Sequence, residues 1–166
     1  MDMYLYTHSS THPSTNRMLF EPQLPLGNAI APAGYWRPPL NYTRYLGSNI
    51  FLADINNEQT VKNQTYRNNM LSLNTLALGY AMNDSIVVPK RSPWFSFFEI
   101  GSETTVTPWN KTRGYQEDWI GLRTLHESGR VLFASLPCTH MGLREPACKP
   151  YSYDAFAKPL LNNTIS

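Results

Sequence analysis

Two short apolar runs constrain this chain most: LNTLALGYAM at 73–82 and RVLFASLP at 130–137, both reading as buried strands. Between them, Glu117 to Ser128 sets Trp119, Ile120, Leu122 and Leu125 among charged residues, the pattern of a short amphipathic helix. Gly129 is placed to stop it. Buried strands alternating with amphipathic helices point to an α/β architecture with a mostly parallel sheet flanked by helices. Open parallel sheets place their sites beyond the carboxyl ends of the strands. That rule selects Asp84, in the NDSIVVP segment after the first run, and His140, just after the second.

The rest of the chain is less regular. Residues 1–33 show neither helical nor strand periodicity, and Pro13, Pro22, Pro25, Pro32 and Gly27 break every candidate run, so a poorly structured arm is expected there. The YWRPPLNYTRYLGS segment at 35–48 suits a loop or short turns over an apolar surface. NIFLADI at 49–55 reads as a short buried strand or the wall of a groove. In the stretch that follows, Val61, Tyr66, Met70, Leu71 and Leu73 fall roughly on one side of a helix. Pro89 and Pro93 force an irregular connection, and a tail helix around Tyr153 to Leu161 is interrupted at Pro159.

Charge and composition exclude several function classes. The net charge is only +2, with 14 Lys and Arg scattered along the chain, so no basic stripe exists to neutralise nucleic-acid phosphates. No apolar run approaches the roughly 20 residues that span a bilayer. His8 and His12 would share a helix face only if 7–13 were helical, which Ser9, Ser10 and Pro13 disfavour. Neither a metal nor a cofactor is expected.

Five Asn-x-Ser/Thr triplets begin at Asn41, Asn63, Asn83, Asn110 and Asn162, a modest excess for this composition that favours a glycosylated, lumenal protein. The opening MDMYLYTHSSTHPSTNR lacks the basic head and apolar core of a signal peptide. The two features together imply that the sequence is not a complete secretory precursor. Cys138 and Cys148 are spaced wrongly for a CxxC redox or zinc pair. In an oxidising compartment they would close an 11-residue loop around His140, a restraint of about 3 kcal/mol.

A lone Asp after a strand is usually a turn or helix cap, and a lone His in a loop is usually solvated. Asp84 followed by His140 nonetheless keeps the chain order of acid and histidine in an α/β-hydrolase triad, in which the acid fixes the imidazole tautomer and the histidine takes the nucleophile's proton. Specific strings strengthen this reading. GYW at 34–36, NIFLADINNE at 49–58, NDSIVVP at 83–89, PWFSFF at 93–98, QEDWIGLRTLHESG at 116–129 and VLFASLPCTH at 131–140 resemble the matching stretches of palmitoyl-protein thioesterases, in the same order. The resemblance covers roughly 34–145. It implies that Asp84 is the triad acid and His140 the triad histidine of an enzyme that removes long-chain fatty acyl groups from protein cysteines in the lysosome. An acyl chain needs an apolar groove, for which Tyr35, Trp36, Ile50, Phe51, Trp94, Phe95 and Phe97 are candidates, ordinary core packing being the alternative for each.

Two departures stand out. Cys138 and Thr139 precede the histidine where many relatives carry a small-plus-acidic pair. More seriously, the family's nucleophile elbow G-x-S-x-G occurs nowhere in the 166 residues. Residues 34–166 therefore read as the C-terminal part of the thioesterase domain, a partial α/β-hydrolase fold lacking the N-terminal strands and the elbow. The isolated chain is expected to be inactive, and its open sheet edge calls for another polypeptide, one that carries the serine if the chain is half of a split enzyme. A shortened product of a complete gene and a non-catalytic structural or interaction subunit are the other readings.

Overall fold

Strand alternation and register explain how the two apolar runs are used. The computed structural model describes residues 34–162; the expected arm over 1–33, with His8 and His12, lies outside them. Four strands occur among the described residues, β1 (Leu76–Ala81), β2 (Phe97–Phe98), β3 (Val106–Thr107) and β4 (Val131–Leu136). β1 and β4 pair in parallel, Leu76 opposite Val131 through Ala81 opposite Leu136, while β2 and β3 form a short antiparallel ribbon. Hydrogen bonds carry the parallel register past the strands, from the Met82 amide to the Leu136 carbonyl (2.8 Å) and from the Asn83 amide to the Cys138 carbonyl (3.0 Å).

Successive residues of a strand face opposite sides. One side of the parallel pair therefore carries Leu78, Tyr80 and Phe133, and an aromatic layer packs on it. The Trp94 ring lies 4.8 Å from Tyr80 and 5.2 Å from Phe133, and the Trp109 ring 4.7 Å from Phe133. The other side carries Ala77, Gly79, Ala81 and Ala134, small residues that let the chain's tail approach closely. A methyl group on Gly79 would come within 3.1 Å of the Phe156 ring. The architecture is α/β, a small open parallel sheet flanked by helices, and it is an incomplete α/β-hydrolase fold. Each strand of the parallel pair has one edge unpaired among the described residues, and such an edge is a surface on which another chain or segment can pack.

The helices are shorter than the apolar periodicity predicts. They are α1 (Tyr42–Ser48), α2 (Leu52–Ile55), α3 (Gln64–Leu71), α4 (Arg113–Gln116), α5 (Leu122–Glu127) and α6 (Lys158–Leu161). The expected strand at 49–55 is instead a turn running into α2. The Asn49 side-chain oxygen accepts from the amides of Phe51, Leu52 and Ala53 at 3.0, 2.6 and 3.3 Å, which curls the backbone away from a ladder. The stripe from Val61 to Leu73 shrinks to α3, capped by Asn63, and Val61 lies outside it at 86% exposure. The helix expected over 117–128 begins only at Leu122. Asp118 (φ 54°) and Gly121 (φ 85°) hold left-handed backbone conformations that no helix accommodates, and the helix ends before Gly129 (φ 73°) as expected. The tail is a wide-turn π-helix, Pro150–Ala157, running into α6. Pro159 does not interrupt it: Ala157 and Lys158 keep right-handed helical dihedrals through the change from π to α winding.

Buried polar side chains fasten these short pieces together. Asn57 donates to the carbonyls of Asn63 (3.1 Å) and Trp119 (2.8 Å). The Asp118 carboxylate, 6% exposed, accepts from Arg67 (2.7 Å), the Thr124 hydroxyl (2.6 Å) and the Arg123 amide (2.9 Å), joining α3 to the start of α5. Burial by itself would raise the Asp118 pKa, but the hydrogen bonds from Thr124, Arg67 and the backbone outweigh it and hold the carboxyl below its usual range. A depressed folded pKa gives stability that is present above the unfolded value of about 3.9 and lost as pH falls through the folded value. Asp118→Asn is accordingly expected to lose about 2–3 kcal/mol at pH 7. Urea unfolding between pH 7 and 3 should show its gap from the native chain closing on acidification, and a gap independent of pH would contradict the ionised network.

Candidate active site

Asp84 and His140 lie 56 positions apart and meet because the parallel register brings their two strands out of the sheet side by side. The His140 Nδ1 lies 2.9 Å from Asp84 Oδ2. The other Asp84 oxygen accepts from the amides of Ile86 (2.8 Å) and Val87 (2.9 Å), so the carboxylate is pinned on both sides. A carboxylate can only accept in this pair, so Nδ1 carries the proton, and in the neutral imidazole Nε2 then presents its lone pair. No hydrogen bond engages Nε2 among the described residues. The Asp84 side chain is 6% exposed and that of His140 21%, an arrangement that shields the acid and leaves the imidazole reachable.

Each member of the pair has its own support. Val87, whose amide holds Asp84, buries its side chain among Trp36, Tyr45, Leu52 and Ala53. The core thus fixes the turn that fixes the acid. On the other side, the Gly142 amide donates to the Thr139 hydroxyl (3.0 Å) across His140, and a methyl group on Gly142 would come within 2.7 Å of that oxygen. Cys138 and Cys148 are joined by a disulfide, both buried against Leu136, Ala134, Leu143 and Phe156.

The groove candidates do not assemble into one wall. Trp36 is a core residue, 8% exposed. Tyr35 and Phe51 pack edge to face at 5.0 Å, Ile50 is 76% exposed, and Trp94 lies on the sheet, its indole donating to the Leu78 carbonyl (2.9 Å). Only Phe95 and Phe97 line the cavity of about 300 Å³, together with Tyr115, Trp119, Arg37 and Glu58. Neither Asp84 nor His140 lines it. The reason is local: 35–48 turns Trp36 and Tyr45 inward to form the core under Val87, and of its aromatics Tyr42 is the one that reaches the cavity.

Beside that cavity sits a polar hub that the sequence did not signal. Glu58, 6% exposed, accepts from Arg37 Nε (2.9 Å), the Tyr42 and Tyr45 hydroxyls (2.9 Å each) and the Asn56 amide group (3.2 Å). Burial first, and then the Glu58 charge, push the Tyr42 phenol up to about 12. The amides of Ile86 and Val87 and the Thr139–Gly142 link were likewise missed. Their only sequence trace is the short polar turn chemistry of Asn83–Ser85 and of a Thr three residues before a Gly.

Asn63, Asn83, Asn110 and Asn162 are exposed and Asn41 is half-buried. Asn83 points outward while the neighbouring Asp84 side chain is 6% exposed, so a glycan on the first would not displace the second. No helix among the described residues is long and apolar enough to cross a membrane, and no three of their His, Cys, Asp and Glu side chains cluster as metal ligands do.

Comparison with known proteins gives the family. The family model described as palmitoyl protein thioesterase matches residues 10–140. Palmitoyl-protein thioesterase 3 of Dictyostelium discoideum is 47% identical over 135 residues, 81% of this chain and 46% of the relative. Palmitoyl-protein thioesterase 1 of Caenorhabditis elegans is 46% identical over 112 residues, 68% of this chain and 37% of the relative. Lysosomal thioesterase PPT2-B of Xenopus laevis is 35% identical over 109 residues. The chain spans less than half the length of these relatives, and it belongs to the palmitoyl protein thioesterase family.

Proposed function

We propose that this chain supplies the acid and the histidine for hydrolysis of long-chain fatty acyl thioesters on protein cysteines, in combination with a serine-bearing polypeptide or segment. The observation that carries this reading is the Asp84–His140 pair, with one carboxylate oxygen on Nδ1, the other held by two amides, and Nε2 unengaged. Asp84 and His140 are the last two members of the triad order, so residues 34–166 correspond to the C-terminal part of the domain. Asp84 keeps the imidazole in the tautomer whose Nε2 accepts a proton, and His140 takes that proton from the incoming serine hydroxyl as it attacks the thioester carbonyl. The cysteine sulfur leaves with its electron pair and takes up the proton held on His140, directly or through solvent, which returns the imidazole to its neutral form. His140 then removes a proton from water, which attacks the acyl-serine ester. The fatty acid departs and the proton returns to the serine oxygen. Phe95 and Phe97, the groove candidates that line the cavity of about 300 Å³, are the ones placed to contact the acyl chain. Exposed Asn-x-Ser/Thr triplets and relatives named lysosomal thioesterases support a lysosomal or secretory lumen.

The lack of G-x-S-x-G favours one other reading, a non-catalytic subunit that packs through its open sheet edge. Labelling the natively purified protein with a fluorophosphonate, followed by intact mass spectrometry, separates the two. A labelled serine on a copurifying or contiguous polypeptide is expected, with labelling abolished by His140→Ala. An unlabelled species at the mass of this chain plus glycans would sink the catalytic reading.

A further inference from the structure

The loop that carries His140 has little packing of its own. Pro137, Thr139, Met141 and the whole of 144–147 are exposed, and apart from the two half-cystines only Gly142 is buried. Within the loop the Thr139–Gly142 hydrogen bond shapes the backbone around His140 but ties it to nothing outside. The attachments to the sheet come mainly through the cysteines, with the half-buried Leu143 packed against the cluster they form with Leu136. The Cys138 carbonyl accepts from the amide of Asn83, the residue before Asp84 (3.0 Å), so the start of the loop is registered to the acid's own strand end. Cys148, ten residues later, closes the disulfide against Leu136 and Phe156, and its carbonyl accepts from Ser152 (3.2 Å) at the start of the tail helix.

We infer that the Cys138–Cys148 disulfide is a positioning element for His140, fixing both ends of an otherwise weakly packed loop so that the imidazole stays on Asp84. The inference rests on the acid–histidine reading of the site. The one hydrogen bond of the imidazole among the described residues is to Asp84, so the bridge acts through the backbone on either side of it. Cutting it leaves the loop end held by the Leu143 contact and by bonds to its neighbours in the tail, from the Ser152 hydroxyl to the Leu143 and Cys148 carbonyls and from the Tyr151 and Ser152 amides to the Cys148 carbonyl. The ring then samples orientations away from Asp84, in which the tautomer is no longer fixed.

The test compares the full native chain with Cys138→Val/Cys148→Ala, which keeps apolar bulk in the cluster and removes only the bond. Ring-15N histidine NMR, with the His140→Ala spectrum as assignment control, reads the tautomer directly. The native chain is expected to show a protonated Nδ1 in one tautomer. The variant should show a mixture at unchanged far-UV circular dichroism, and in the serine-bearing assembly kcat should fall up to about a hundredfold with KM nearly constant. Should the variant fail to fold, the same spectrum recorded on the native chain with and without a phosphine reductant answers the question. An unchanged Nδ1–H signal after loss of the bond overturns the positioning role and leaves the catalytic pair standing. Absence of that signal in the native chain overturns the pair itself, and this inference with it.

Discussion

Asp84→Asn lowers kcat for acyl-thioester hydrolysis by about 10⁴-fold in the serine-bearing assembly, with KM nearly unchanged. The size follows from the hydrogen bonds. Asparagine can still accept from the Ile86 and Val87 amides through its oxygen, so the turn survives. Its amide nitrogen then faces His140 Nδ1, where the carboxylate oxygen stood at 2.9 Å. A donor in that place favours the tautomer with the proton on Nε2, which cannot take a proton from serine. The variant should remain folded and still bind substrate, because the affected step is proton transfer alone. Steady-state kinetics with an acyl-thioester substrate provide the measurement, and a variant that keeps the native rate would remove Asp84 from the mechanism.

Glu58→Ala is expected to destabilise the full chain by about 3–5 kcal/mol, as removal of one member of a buried ion pair does. Arg37, with a side chain only 11% exposed, would keep its charge and lose its carboxylate partner. The Tyr42 and Tyr45 hydroxyls would lose their acceptor at the same time. The guanidinium stacks on Tyr42 and Phe97 at 4.6 and 4.8 Å, and these contacts would retain part of its stabilisation. Urea unfolding gives the change in stability. Ultraviolet titration gives a second readout, in which the Tyr42 phenol falls from about 12 towards its ordinary value but stays above it, since burial is the larger cause of its shift. An unfolding midpoint equal to that of the native chain would mean that the hub contributes no net stability.

The strings that carry the family resemblance turn out to be joints. In NNE, Asn57 and Glu58 are the buried donor and acceptor that tie this turn to Trp119 and Arg37. In QEDW, Asp118 fixes the start of α5 against Arg67. Such side chains are legible as residues but not as contacts, because their partners lie 21 to 62 positions away. The same limit explains the misread elements. The short apolar run of 49–55 suits a strand until Asn49 supplies three local hydrogen bonds, and 117–121 has the periodicity of a helix until two left-handed residues interrupt it.

The sequence by itself determined the two strands, their parallel α/β setting, the order of acid and histidine and the absence of a serine elbow, because each depends on residue type and short-range periodicity. Tertiary structure alone decided that Asp84 meets His140 at 2.9 Å, that the aromatics of 35–51 go mainly into core and edge contacts rather than a groove, and that Glu58 is a buried hub. Those outcomes depend on strand register and on which surfaces fill one another, and both are set by contacts between segments far apart in the chain.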